Sequence, residues 1–146
     1  MKHRSGWSLI EVMIAVLVLS LVTAAFASLY PIALRMRSKS ENVTRATTLA
    51  QQKIEQVRAL PYVSLGYTGL QFNNVIDASP SASPFSFTTV DSLASKLPQG
   101  AGTITLSNPA TDLTRVDVTV TWGGLVQTGN SVTVSTLIAN EAVKIE

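Results

Sequence analysis

Few residues in this chain have the chemistry to act on anything, and Glu11 stands apart from the rest. It is a lone carboxylate at the head of an uncharged run, because no Asp, Glu, Lys or Arg occurs from Val12 to Leu34. A carboxylate in such company can accept hydrogen bonds or pair with a cation. Within a membrane helix it is unfavourable by about 2.5–3.5 kcal/mol at the centre and by somewhat less near the end. Such an acid needs a partner and a task, and the identity of that partner is the functional question the sequence poses.

Other chemistry is quickly excluded. Cysteine is absent, so there is no disulfide and no thiol nucleophile. The single histidine is His3, which leaves no His-based triad and no His/Cys metal site beyond the first residues. Asp77, Asp91, Asp112 and Asp117 lack the spacing of a calcium loop. There is no G-x-G-x-x-G, no P-loop and no G-x-S-x-G. We expect no catalytic residue, no cofactor and no metal; carboxylate-only catalysis is the one enzymatic reading left standing. The net charge of +2 comes from Lys2 and Arg4, which precede Gly6. Without them Lys+Arg falls from 11 to 9 and balances the 9 Asp+Glu. No basic patch marks the remainder, so no nucleic-acid site is expected.

The elements that must position Glu11 follow. The apolar run exceeds the roughly 20 residues that cross a bilayer. Positive charge in Met1–Gly6 sets its cytoplasmic end. The Trp7–Leu34 segment should be helical, since lipid leaves every backbone group to be satisfied internally. Pro31 removes one helical hydrogen bond, which gives either a kink near Ala27 to Tyr30 or a helix end; we favour continuation. From Arg35 to Leu60 the pattern turns amphipathic. Val43, Ala46, Ala50, Ile54 and Val57 recur at steps of three and four, widened by Leu49 and Leu60. Arg45, Gln52, Lys53, Glu55 and Gln56 form the polar face. Pro61 closes the helix.

The remaining chain reads as sheet. Tyr67–Ile76 is expected to be a short strand, Ser79–Pro84 a loop, and Phe85, Phe87 and Thr89 one face of another strand. Gly100 and Gly102 mark a turn before Thr103–Ser107. Val116, Val118, Val120 and Trp122 alternate with Arg115, Asp117, Thr119 and Thr121, a half-buried strand. Gly123, Gly124 and Gly129 bracket a loop, after which Val132, Val134, Thr136 and Ile138 repeat the alternation. This is an antiparallel hairpin whose apolar face needs a cover, and the Val43–Val57 stripe supplies it. The expected fold class is α+β: a long N-terminal helix packed on a small antiparallel sheet. The domain expectation is 1–6 as leader, 7–34 as transmembrane or filament-core helix and 35–146 as globular domain.

Gly6-Trp7-Ser8-Leu9-Ile10-Glu11-Val12-Met13-Ile14 resembles the N-terminal signal of type IV pilins and type II secretion pseudopilins. That family has a short basic leader, a glycine before the cut, an apolar residue after it and glutamate at the fifth mature position; here these are Met1–Gly6, Gly6, Trp7 and Glu11. Trp7 stands where phenylalanine or methionine is usual. Pro31 falls slightly later than the family's kinking proline. The disulfide that closes a C-terminal loop in many members cannot form here. Leu49–Tyr62 is also similar to minor pilins and minor pseudopilins. The resemblance implies a membrane-embedded prepilin peptidase that cuts after Gly6 and methylates the new amine of Trp7. It implies an inner-membrane subunit, N-terminus cytoplasmic, that passes from membrane lipid through an assembly platform into a filament with other pilin or pseudopilin subunits. Glu11 would then meet the neighbouring subunit's amine, each satisfying the other in an apolar bundle. Such a subunit is structural, and the Leu49–Tyr62 string favours a minor one.

Blander readings stand beside these. Glu11 can face headgroups at the membrane surface. Ala25-Phe26-Ala27 fits an ordinary signal peptide whose removal leaves a secreted β-rich protein starting at Ser28. An uncleaved single-pass anchor is the third reading. Asn42-Val43-Thr44 fits a glycosylation sequon but lies on the expected helix.

Overall fold

The structure is a computed structural model that describes the main chain of residues 8–124 and 127–140. One helix, α1 (Leu9–Arg58, 50 residues), contains both the uncharged run and the amphipathic stripe. It continues through Pro31, so this proline does not end it. The chain divides into two compact units after Ser40, within this helix.

In the first unit every large apolar side chain from Leu9 to Met36 is exposed. Hydroxyls in this stretch turn back on the helix itself. Ser20 Oγ donates to the Val16 carbonyl at 2.7 Å, Thr23 Oγ1 to Leu19 at 2.8 Å and Ser28 Oγ to Ala25 at 2.7 Å. These three hydroxyls are satisfied without water, which suits an apolar surrounding.

The second unit begins at Glu41. Its part of α1 buries Ala46, Ala50, Ile54 and Val57, as the stripe predicts, with Leu49 and Leu60 packed at its margin. Val43 remains 39% exposed because the core begins one turn later, at Ala46. The helix ends at Arg58, two residues before Leu60, and a 3₁₀ turn follows at Tyr62–Ser64. Four antiparallel strands form the sheet in the order β1-β2-β3-β4. They are β1 (Phe85–Ser86), β2 (Ala101–Ala110), β3 (Leu113–Gly124) and β4 (Gln127–Ala139). Short helices α2 (Tyr67–Phe72) and α3 (Leu93–Lys96) fill the connections. Ile104, Val116, Val118, Val120 and Trp122 form the sheet's side of the core. The β3–β4 hairpin is present, with Val118 opposite Val134 and Val120 opposite Val132.

Four expectations need correction. Gly102, expected in a turn, lies inside β2, where it lets the Phe87 and Leu93 side chains approach closely. Tyr67–Phe72 is helical, not extended. Helical spacing puts Tyr67 and Leu70 on one side, where Leu70 is fully buried and the Tyr67 ring meets that of Phe85 at 6.2 Å. Phe72 is left 87% exposed. The helix stops in a Schellman arrangement. Val75 N–H donates to the Leu70 carbonyl at 2.9 Å and Asn74 N–H to Gln71 at 3.0 Å, with Asn74 at φ 55°. The Phe85 strand is only two residues long: Phe87 is buried beyond it, and Thr89 lies in a turn held by Asp77. Lastly, Gly124 closes β3 and Gly129 lies inside β4 at φ 92°, next to a register shift between Trp122 and Gly124.

Candidate functional site

Glu11 occupies the first turn of α1. Its N–H donates to the Ser8 carbonyl at 2.9 Å, and Val12 N–H reaches the same carbonyl at 3.3 Å. Ser8-x-x-Glu11 has the spacing of a capping box, an additional signal in the sequence, although the bond to Glu11 N–H comes from the Ser8 backbone. An acid in a first turn gains about 0.3–1 kcal/mol from the helix dipole at a wet surface. The dipole favours the acid but gives it no counter-ion, so among apolar helices Glu11 still calls for a cation. Its neighbours Leu9, Ile10, Met13 and Ile14 are all more than half exposed. Val12, Met13, Val16, Leu17 and Ser20 line a shallow apolar groove along the same helix.

Gly6 and Trp7 lie outside the described residues. Glu11 and Pro31 share α1 but sit several turns apart, and nothing in the helix brings them together. By length and composition this helix is long and apolar enough to cross a membrane. Uncharged on every side from Val12 to Leu34, that part of it wants lipid or other helices.

The second unit holds a charged pair that sequence reasoning missed. Lys53, assigned above to the polar face, is 1% exposed. Its Nζ lies 2.9 Å from Asp91 Oδ2 and donates to the Val75 carbonyl at 3.1 Å. It also sits 5.0 Å from the centroid of the Phe87 ring. The signal was present: Lys53 is three residues after Ala50 and four before Val57, in the middle of the stripe. A cation there requires a buried acceptor, but Asp91 is 38 residues away. Lys53 and Asp91 fasten the loop region to α1.

Asp77 organises the same loop region. Ser86 Oγ donates to its carboxylate at 2.5 Å and Val90 N–H at 2.8 Å. Burial opposes its charge, but the Ser86 hydroxyl and the N–H groups of Val90, Thr89 and Thr88 outweigh burial and hold its carboxyl below the usual value. On the outer face of the sheet, the Ser135 hydroxyl, and then Arg115, hold Asp117 low against a smaller opposing effect of burial. Among the described residues no group of three or more His, Asp or Glu gathers to hold a metal.

Residues 1–27 match the family model described as the prokaryotic N-terminal methylation motif, the signal of type IV pilins and pseudopilins. No curated protein and no solved structure matches the chain.

Proposed function

We propose that the chain is a minor structural subunit of a type IV pilus or related pseudopilus, taken from the inner membrane into a filament after its leader is cut. The observation that carries the subunit reading is the methylation motif over residues 1–27; the minor role rests only on the similarity of Leu49–Tyr62 to minor pilins and pseudopilins. The motif points to a pilin-like or pseudopilin structural subunit, to a prepilin peptidase that acts on it and to assembly with other pilin subunits. Together with the apolar α1 it fits anchoring in the inner membrane before assembly.

In this reading residues 1–6 are the leader, 7–34 the membrane and filament-core helix, and 35–146 the globular domain. Cutting after Gly6 frees the amine of Trp7, and methylation leaves that amine cationic. Glu11 then pairs with the amine of an adjacent subunit. Alone, each charge is unfavourable among apolar helices; together they satisfy one another and set the axial register. Pro31 would kink α1 without ending it, since its ring cannot accommodate an undistorted turn.

Mass spectrometry of the native chain tests the reading. A mature N-terminus at methylated Trp7 is expected. A start at Ser28 would establish the secreted domain instead, and a start at Met1 the plain anchor. The minor role has its own test: purified filaments composed mainly of this chain would refute it.

A further inference from the structure

β4 is an edge strand without protective charges or proline, and its one irregularity lies near its start, at Gly129. Gln127–Ala139 runs for 13 residues and contains no charged residue and no proline. Free strand edges normally carry such residues, because an unpaired row of N–H and C=O groups templates another strand. The opposite edge of the same sheet is covered. β1 pairs with β2 at Thr103 and Ile104. Gly102 N–H donates to the Thr88 hydroxyl at 3.0 Å, the Gly102 carbonyl accepts from Phe87 N–H at 3.1 Å, and Leu106 N–H donates to the Ser83 hydroxyl at 3.3 Å. Beyond them Pro109 sits at a register shift between Ser107 and Ala110. Among the described residues no hydrogen bond joins the outer side of β4 to another element.

The core-facing side of β4 is also incomplete. Val118 and Val120 of β3 are fully buried, yet their partners Val134 and Val132 on β4 are only half-buried. The apolar layer therefore reaches the last strand and stops partly in water. A further strand alongside β4 would cover it.

We propose that the occupant is a second copy of this chain, paired β4 to β4 and antiparallel about Thr133. This register sets Thr133 against Thr133, Ser131 against Ser135 and Val132 against Val134. Hydroxyl meets hydroxyl, valine meets valine, and no like charges oppose one another. The cross-strand row Thr103–Thr119–Thr133 on the outer face continues into the same row of the copy. The alternation of the strand keeps both apolar faces on one side of the joined sheet. Such a contact is two-fold and closes on itself, unlike the head-to-tail contact that propagates a filament. It uses only the Glu41–Glu146 unit and does not rest on the filament reading.

Cysteine scanning on the purified full chain tests this, in detergent with micelles in excess over chains. The chain has no native cysteine, so each introduced thiol is unique. On mild oxidation Thr133→Cys should give a disulfide-linked dimer. Ser131→Cys and Ser135→Cys should cross-link when mixed but not alone. Thr105→Cys, exposed on the same face but away from the edge, should stay monomeric. Sedimentation of the wild type should show a dimer that Thr133→Lys abolishes. A monomeric wild type, no Thr133 disulfide, or equal cross-linking at Thr105 would overturn the pairing. A Thr133→Cys disulfide formed in cells only with a different protein would overturn the second-copy assignment.

Discussion

Lys53 Nζ contacts both oxygens of Asp91, at 3.0 Å and 2.9 Å, and so ties α1 to the turn before α3. Removing the acid leaves a buried ammonium whose other contacts are the Val75 carbonyl and the Phe87 ring. Breaking a buried pair from one side costs about 3–5 kcal/mol. Asp91→Ala should therefore destabilise the second unit by roughly that amount. Lys53→Met should cost less, because methionine fills the space, packs on Phe87 and leaves behind an acid that water can still reach. Denaturant unfolding followed by near-ultraviolet circular dichroism measures both; equal losses would refute the asymmetry.

Acid should weaken the second unit through Asp77. Its folded carboxyl titrates below its ordinary value, which is about 3.9 in an unfolded chain. Above that value both states are ionised and the stabilisation is complete. As the pH falls below it the unfolded state takes the proton first, so stability drops until the folded carboxyl is protonated too. Asp77→Asn should flatten the dependence below about pH 4. Asp117 titrates with the same sign and accounts for part of the slope that remains. Unfolding curves between neutral pH and pH 3 read the difference directly.

Gly69 tests the close approach of α2 to the preceding 3₁₀ turn. A Cβ at Gly69 would strike the Ser64 carbonyl oxygen, a backbone atom that cannot rotate away. Gly69→Ala should cost about 1–3 kcal/mol, as overpacking does, despite alanine's better helix propensity. A thermal midpoint at or above that of the wild type would count against this packing.

Glu11→Ala should leave cutting after Gly6 intact and impair incorporation into filaments. Normal filament yield from that variant would defeat the pairing of Glu11 with a neighbour's amine. Gly6→Val should leave an uncut precursor in the membrane, visible as a longer chain on mass spectrometry.

Some features were legible in the sequence because a single element states them. Val116, Val118, Val120 and Trp122 alternate, and a period of two means one buried face whatever lies opposite. Ala46, Ala50, Ile54 and Val57 mark the buried side of α1 for the same reason, and the uncharged run after Glu11 marks the helix that needs lipid or other helices. The methylation motif also lies within one short stretch.

Other features depend on residues that meet only when the chain folds. Tyr67–Phe72 has the aromatic content of a strand, but the contacts of Tyr67 and Leu70 with the core select a helix. Lys53 reads as polar by type and becomes interior because Asp91, far along the chain, neutralises it. The order of the strands made β4 the open edge. Local periodicity records which side of an element avoids water; only long-range packing decides what covers that side, which charges go inside with it and which strand is left unpaired.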